Sequence, residues 1–147
     1  MFSKTLTLVS TVAAVSLFAA APAYAQARYN FKLAHVITAG TPIDVAANRF
    51  ADLIKERTKG RVEIKVFPAS QLGAERAIIE GVQLGTIEMS FTTTGAIGGF
   101  APEFQVLDLP FLFRSDAEVD AVLEQVKPSY ERRFEAKGFI LLGFTEA

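Results

Sequence analysis

The sequence predicts an α/β fold, a parallel sheet covered by helices. Three observations carry it. Strand-type alternation recurs along the chain, helix-type apolar stripes separate the alternating runs, and glycines close the helices. Strand, helix, strand, helix and strand within about 65 residues require right-handed crossovers and a parallel sheet.

The first strand is expected at residues 29–35, where Tyr29, Phe31 and Leu33 alternate with Asn30, Lys32 and Ala34. Thr41, Pro42 and Asp44 then combine a capping hydroxyl, a first-turn proline and a first-turn acid, the signature of a helix start. The helix that follows places Ile43, Ala46, Ala47, Phe50, Ala51 and Ile54 on one stripe, and Gly60 stops it. Val62, Ile64 and Val66 alternate with Glu63 and Lys65 as a second strand. A second helix is expected over residues 74–84, closed by Gly85, and a third strand over 87–93. Residues 94–99 read as a glycine-rich turn.

From residue 100 to 114 the periodicity fails, and Pro102 and Pro110 exclude a regular helix or central strand, which leaves an ordered apolar loop. Two helical stretches follow, 116–125 and 128–137, the second stopped by Gly138. Residues 139–144 (FILLGF) read as a fourth strand.

The N-terminus has its own logic. Lys4 precedes an apolar run over residues 6–21, and Ala23-Tyr24-Ala25 follows. A positive start, a short apolar core and an A-x-A site are the parts of a secretory signal peptide. Residues 1–25 are expected to be removed, leaving residues 26–147 as one modest α/β domain. No paired arginines precede the apolar run, so the general secretory route is expected.

Composition excludes several classes. Fifteen Lys and Arg against 16 Asp and Glu give a net charge of −1, which lacks the basic face that nucleic acid requires. There is no cysteine, hence no disulfide, thiol chemistry, Cys-ligated zinc or lipid attachment through an N-terminal cysteine. With no anchor to hold it, an exported binder of this kind is retained near the cell by an outer membrane, so the periplasm of a Gram-negative bacterium is the expected location. Residues 95–99 (GAIGG) lack the dinucleotide fingerprint, and no phosphate-loop lysine follows. No nucleophile elbow and no cysteine nucleophile are present, and only one histidine is available for any triad or metal site. The expectation is a protein without cofactor or catalysis.

In open α/β sheets ligands bind beyond the carboxyl ends of the strands, close to helix N-termini. Those ends carry His35, Thr38 and Thr41 after the first strand, Ser70, Gln71 and Glu75 after the second, and Thr92, Thr93 and Thr94 at the third. Such a surface suits a small hydroxylated or carboxylated solute. Each residue also has a plain role open to it. His35 can satisfy a backbone group, the threonines are favoured strand residues, and Glu75 complements a helix dipole.

Four runs resemble one family. FPASQLGAER (67–76), GVQLGTIEM (81–89), LDLPFLF (107–113) and KGFILLG (137–143) stand in order and at ordinary spacing, and together they are similar to the substrate-binding proteins of tripartite ATP-independent periplasmic (TRAP) transporters. The resemblance implies the first lobe of a two-lobed periplasmic receptor. That receptor closes on a small organic acid, a C4-dicarboxylate or similar carboxylate, and delivers it to integral membrane subunits of a TRAP permease. It implies first-lobe ligand contacts at His35, at Glu75 with Arg76 beside it, and at Thr92 and Thr93. Residues 110–113 are implied as packing on the hinge side. Members of the family run to about twice this length, with a second lobe and a carboxylate-clamping arginine beyond residue 147, so a chain ending at the hinge is expected to bind solute poorly by itself. An ABC-type solute-binding protein or a periplasmic sensor domain shares the two-lobed design and is the alternative.

Overall fold

A computed structural model describes residues 29–145. The signal peptide expected at residues 1–25 lies outside the described residues. Three parallel strands run in the order β2-β1-β3: β1 (Tyr29–Ala34), β2 (Val62–Phe67) and β3 (Met89–Ser90). Helices connect them, α1 (Pro42–Arg57) between β1 and β2 and α2 (Glu75–Gln83) between β2 and β3. The expected strand-helix-strand-helix-strand order and parallel sheet are thus present. β1 pairs along its whole length with β2, from Tyr29 opposite Val62 to Ala34 opposite Phe67.

The third strand is shorter than its sequence suggests, because side chains and turns take the hydrogen bonds that a longer ladder would use. β3 pairs with β1 only at Leu33–Met89 and Ala34–Ser90. One residue earlier, the Lys32 amide donates to the Glu88 carboxylate at 2.7 Å instead of to a strand carbonyl. Ile87 is held by the end of α2, its amide donating to the Gly81 carbonyl. At the other end Thr93 leaves the strand to cap α3 (Thr94–Ile97), with its hydroxyl accepting the Ala96 amide at 3.2 Å. The turn expected at 94–99 therefore contains one short helix.

Helix α1 is rotated slightly from the expected stripe. Ala47 and Ala51 are buried with Asp44, while Ala46 faces solvent. Thr41 occupies the N-cap, but its hydroxyl donates to the Thr38 carbonyl at 2.8 Å and caps no helical amide. On the outer side of α1, Lys55 pairs with Glu63 of β2 at 2.6 Å.

Two apolar clusters meet at α2. Ile78 joins Ala34 and Ile87, while its neighbour Ile79 joins Ile97, Ala101, Phe104, Tyr130, Phe134 and Phe139, and Val82 packs on both. Gly81 allows this close approach, since a Cβ there would stand 2.9 Å from Ile87 Cδ1. Gly85, at φ 74°, closes α2 in a left-handed turn: its amide donates to Val82 and the Thr86 amide to Gly81, satisfying carbonyls that the helix end leaves open. The second run resembling the family (81–89) is thus a helix stop with a packing notch.

The expected loop at 100–114 contains a 3-10 helix (Pro102–Asp108) that drives Phe104 into the larger cluster. Pro128 was expected to separate two helices. One helix, α4 (Asp116–Glu135), runs through it instead. A proline inside a helix costs about 3 kcal/mol, and the C-terminal half offsets this by burying Tyr130 and Phe134 against Phe104, with ring centroids 4.3 and 4.5 Å away. Ser115 caps the start, accepting the Glu118 amide. Residues 139–144 form no ladder with the sheet. The strand-like alternation survives as packing: Phe139 is buried, Ile140 and Leu142 are exposed, and Leu141 and Phe144 rest on the larger cluster.

Candidate functional site

The parallel arrangement brings the C-terminal ends of all three strands to one edge of the sheet, and backbone bonds fasten them there. The His35 amide donates to Phe67, the Ser70 amide to His35, the Ala69 amide to Ile37, and the Phe91 amide to Ala34. The loops after β1, β2 and β3 therefore form one continuous surface. Ala69 and Ser70 hold successive left-handed conformations within it, at φ 50° and 60°, an arrangement that non-glycine residues rarely adopt.

Glu75, Thr92 and Thr93 come together. Glu75 opens α2, which has no side-chain cap of its own, and its Oε1 accepts the Thr92 hydroxyl at 2.9 Å and the Thr93 amide at 2.7 Å. The acid ties the first turn of α2 to the end of β3 and holds both threonines at the surface. Both are exposed. Thr94, next in sequence, donates its hydroxyl to Asp108 of the 3-10 helix.

Arg76 stands beside Glu75 in sequence but points elsewhere. Its Nε donates to Glu80 at 3.0 Å and its guanidinium lies 5.5 Å from the centre of the Phe100 ring. The side chain is 77% exposed, and in that setting such a pair is weak and easily exchanged for another anion.

His35 lies beneath the surface. Its residue is 0% exposed, and neither ring nitrogen has a hydrogen-bond partner. Nε2 stands 3.3 Å from Asp44 Oδ1, close enough for attraction but not aligned as a hydrogen bond. Asp44 is a residue that sequence reasoning missed as part of this region. No local signal marked it, because Asp44 reads as a first-turn acid outside the expected stripe and is buried with Ala47 and Ala51 only through the rotation of α1.

The surface offers threonine hydroxyls and backbone groups on one edge, organised by the Glu75 carboxylate, with the Arg76 guanidinium beside it but turned to Glu80. That set recognises a polar solute by hydrogen bonds and charge. A groove of about 460 Å³ lies elsewhere, between α1 and the first half of β1 and β2, where Asp52, Lys55, Glu63 and Lys65 line it.

Comparison with known proteins agrees with this fold. The chain is 40% identical over 103 residues to the 2,3-diketo-L-gulonate-binding periplasmic protein of Escherichia coli, a match spanning 69% of this chain and 31% of that protein. The structure superimposes on a TRAP periplasmic solute-binding protein from Polaromonas bound to D-erythronate. There the TM-score is 0.76 and the identity 35%, over 80% of this chain and 39% of that one. It also superimposes on one from Sulfurospirillum deleyianum with bound succinate, with TM-score 0.74 and 33% identity, over 80% and 38%. The chain thus spans about a third of the length of the relatives it matches, and its α/β architecture corresponds to their first lobe. The model of the bacterial extracellular solute-binding proteins, family 7, matches residues 33–147, and the chain belongs to that family.

Proposed function

We propose that this chain supplies the first lobe of a periplasmic receptor for a small organic acid, a sugar acid or C4-dicarboxylate, that serves TRAP membrane subunits. The observation that carries the proposal is the joining of Glu75, Thr92 and Thr93 at the carboxyl ends of the strands, where ligands of open α/β sheets bind. Relatives that bind 2,3-diketo-L-gulonate, D-erythronate and succinate support an acid as the solute. In this reading the Thr92 and Thr93 hydroxyls face the solute, and the exposed Arg76 exchanges Glu80 for the solute's carboxylate. Glu75 orients the threonines and uses its remaining oxygen on a solute hydroxyl. His35 supports the surface from below. Binding and release suffice for this role, and it requires neither cofactor nor metal. Export with cleavage after Ala25 completes the proposal, with Gln26 as the mature N-terminus.

The test is a two-lobed chimera in which residues 33–145 replace the matching stretch of the Polaromonas receptor. Calorimetry with D-erythronate, succinate and 2,3-diketo-L-gulonate is expected to show micromolar binding of at least one acid. Thr93→Val or Glu75→Ala should weaken that binding about 5- to 150-fold, the effect of leaving a buried polar partner unpaired. Binding that is unchanged in both variants would remove these residues from the site. A folded chimera that binds none of the acids would remove the function.

A further inference from the structure

The His35–Asp44 contact joins two buried polar groups where the fold would accept apolar ones. His35 is fully enclosed, with both ring nitrogens lacking a hydrogen bond, and Asp44, 7% exposed, faces it from the first turn of α1. An apolar side chain at residue 35 would fill the same space without an unpaired polar group. What an apolar pair lacks is direction.

Asp44 uses both oxygens. Oδ2 accepts the Gly40 amide at 2.8 Å, while Oδ1 faces His35 Nε2 and accepts the Asn48 side-chain amide at 3.2 Å. The carboxylate therefore spans the loop from the end of β1 to its last turn before α1. The same loop carries its backbone outward: the carbonyls of His35 and Ile37 receive the amides of Ser70 and Ala69, the two left-handed residues of the neighbouring loop. A movement of His35 or Asp44 thus displaces two loops of the ligand edge at once.

We propose that His35 and Asp44 are a buried positioning pair that sets the height and rigidity of the 36–41 loop and, through it, of Ala69 and Ser70. Neither residue touches the solute. Their effect on affinity rests on the function proposed above, whereas their effect on the loops does not.

Amide hydrogen exchange on the full chain tests the second effect, with Asp44→Ala, Asp44→Asn and His35→Asn beside the wild type. Asparagine at 44 keeps an oxygen for Gly40 and loses the charge beside His35. Exchange at Gly40 should quicken about tenfold or more in Asp44→Ala and stay near wild type in Asp44→Asn. Ala69 and Ser70 should quicken in Asp44→Ala and His35→Asn, with Phe104 and Phe139 in the other cluster unchanged. Equal acceleration at every amide would mark the pair as ordinary core packing and overturn the proposal, as would unchanged exchange at Gly40 and Ala69. If a variant does not fold, the imidazole 15N spectrum of the wild type decides: a proton on Nε2 is expected, facing Asp44, and a proton on Nδ1 alone overturns the pairing. In the chimera, Asp44→Ala should lower affinity for the bound acid about tenfold with recovery in Asp44→Asn. Wild-type affinity in Asp44→Ala would confine the pair to a structural role, and a chimera that binds no acid would count against the function while leaving the exchange result to stand.

Discussion

Glu75 accepts the backbone amide of Thr93 at 2.7 Å, and this one bond sets two boundaries of the fold. Thr93 is the last residue before α3, whose start its hydroxyl caps, and Glu75 is the first residue of α2. The same oxygen holds the Thr92 hydroxyl. A carboxylate near a helix N-terminus is also favoured by the unpaired amides there. Glu75 thus stabilises α2, ends β3 and fixes the residues proposed to meet the solute.

Replacing Glu75 should therefore act on stability as well as on binding. Glu75→Ala removes two charge-assisted bonds at a partly exposed site and is expected to cost about 1–2 kcal/mol. Glu75→Gln keeps an acceptor oxygen and should cost about half as much. Thermal melts of the chain without ligand check this, since about 1 kcal/mol moves the midpoint of a domain this size by about 4 °C. Equal midpoints in Glu75→Ala and the wild type would show that the bonds contribute nothing.

The elements that the sequence revealed are those governed by local rules. The alternation of Val62, Ile64 and Val66 and the glycine stops after α1 and α2 depend on nearest neighbours, and the structure has them. The misses arose where a distant group intervened. Nothing near Ile87 announces that Glu88 will take the Lys32 amide and shorten β3, and nothing near Pro128 announces that Phe104 will hold α4 together. The grouping of Glu75 with Thr92 and Thr93 was legible from the strand-end rule. The partnership of His35 with Asp44 was not, because it depends on which face of α1 turns inward.

Phe104 is the aromatic centre of the larger cluster, touching Tyr130, Phe134 and Phe144. Phe104→Ala should cost about 3–5 kcal/mol, a large share of the about 5–15 kcal/mol that holds a domain together. Phe104→Leu should cost about 1–2 kcal/mol. Urea unfolding measures both. A Phe104→Ala midpoint equivalent to a loss below about 0.5 kcal/mol would mean that the cluster is not the core of the fold.

Tyr130 carries a pH dependence whose sign follows from its setting. Burial raises its phenol above the ordinary 10.0, Glu103 adds to this, and Arg133 opposes it. The unfolded chain therefore ionises this group first. Its stabilising effect is fully present below about pH 10 and is lost as the pH rises through the higher native value. Absorbance at 295 nm should show a tyrosine step displaced above the ordinary phenol range, and Tyr130→Phe should abolish it. At neutral pH the same variant loses the hydroxyl bond to the Glu103 carbonyl, 3.0 Å, at about 0.5–1.5 kcal/mol. The gap between the two proteins should narrow above pH 10. A constant gap would exclude the proposed ionisation.

Phe111 combines two unfavourable features with no contact to offset them. It is 99% exposed, and its φ of 61° places a bulky residue in the left-handed region, at about 1–2 kcal/mol. Leu109 and Leu112 flank it and are exposed as well, so the run LDLPFLF presents apolar surface of the kind that drives association. Aspartate tolerates the left-handed region better than phenylalanine and adds a charge. Phe111→Asp should leave stability within about 0.5 kcal/mol or raise it, and should reduce self-association in sedimentation velocity at matched concentration. Phe111→Gly relieves the backbone further but loosens the unfolded chain, so a net change of about 0 to +1 kcal/mol is expected. Both variants separate exposure from packing. A loss above about 2 kcal/mol in Phe111→Asp would be possible only if the ring were buried in the folded protein, and unchanged association in both variants would locate the sticky surface elsewhere, with Ile140 and Leu142 the next residues to replace.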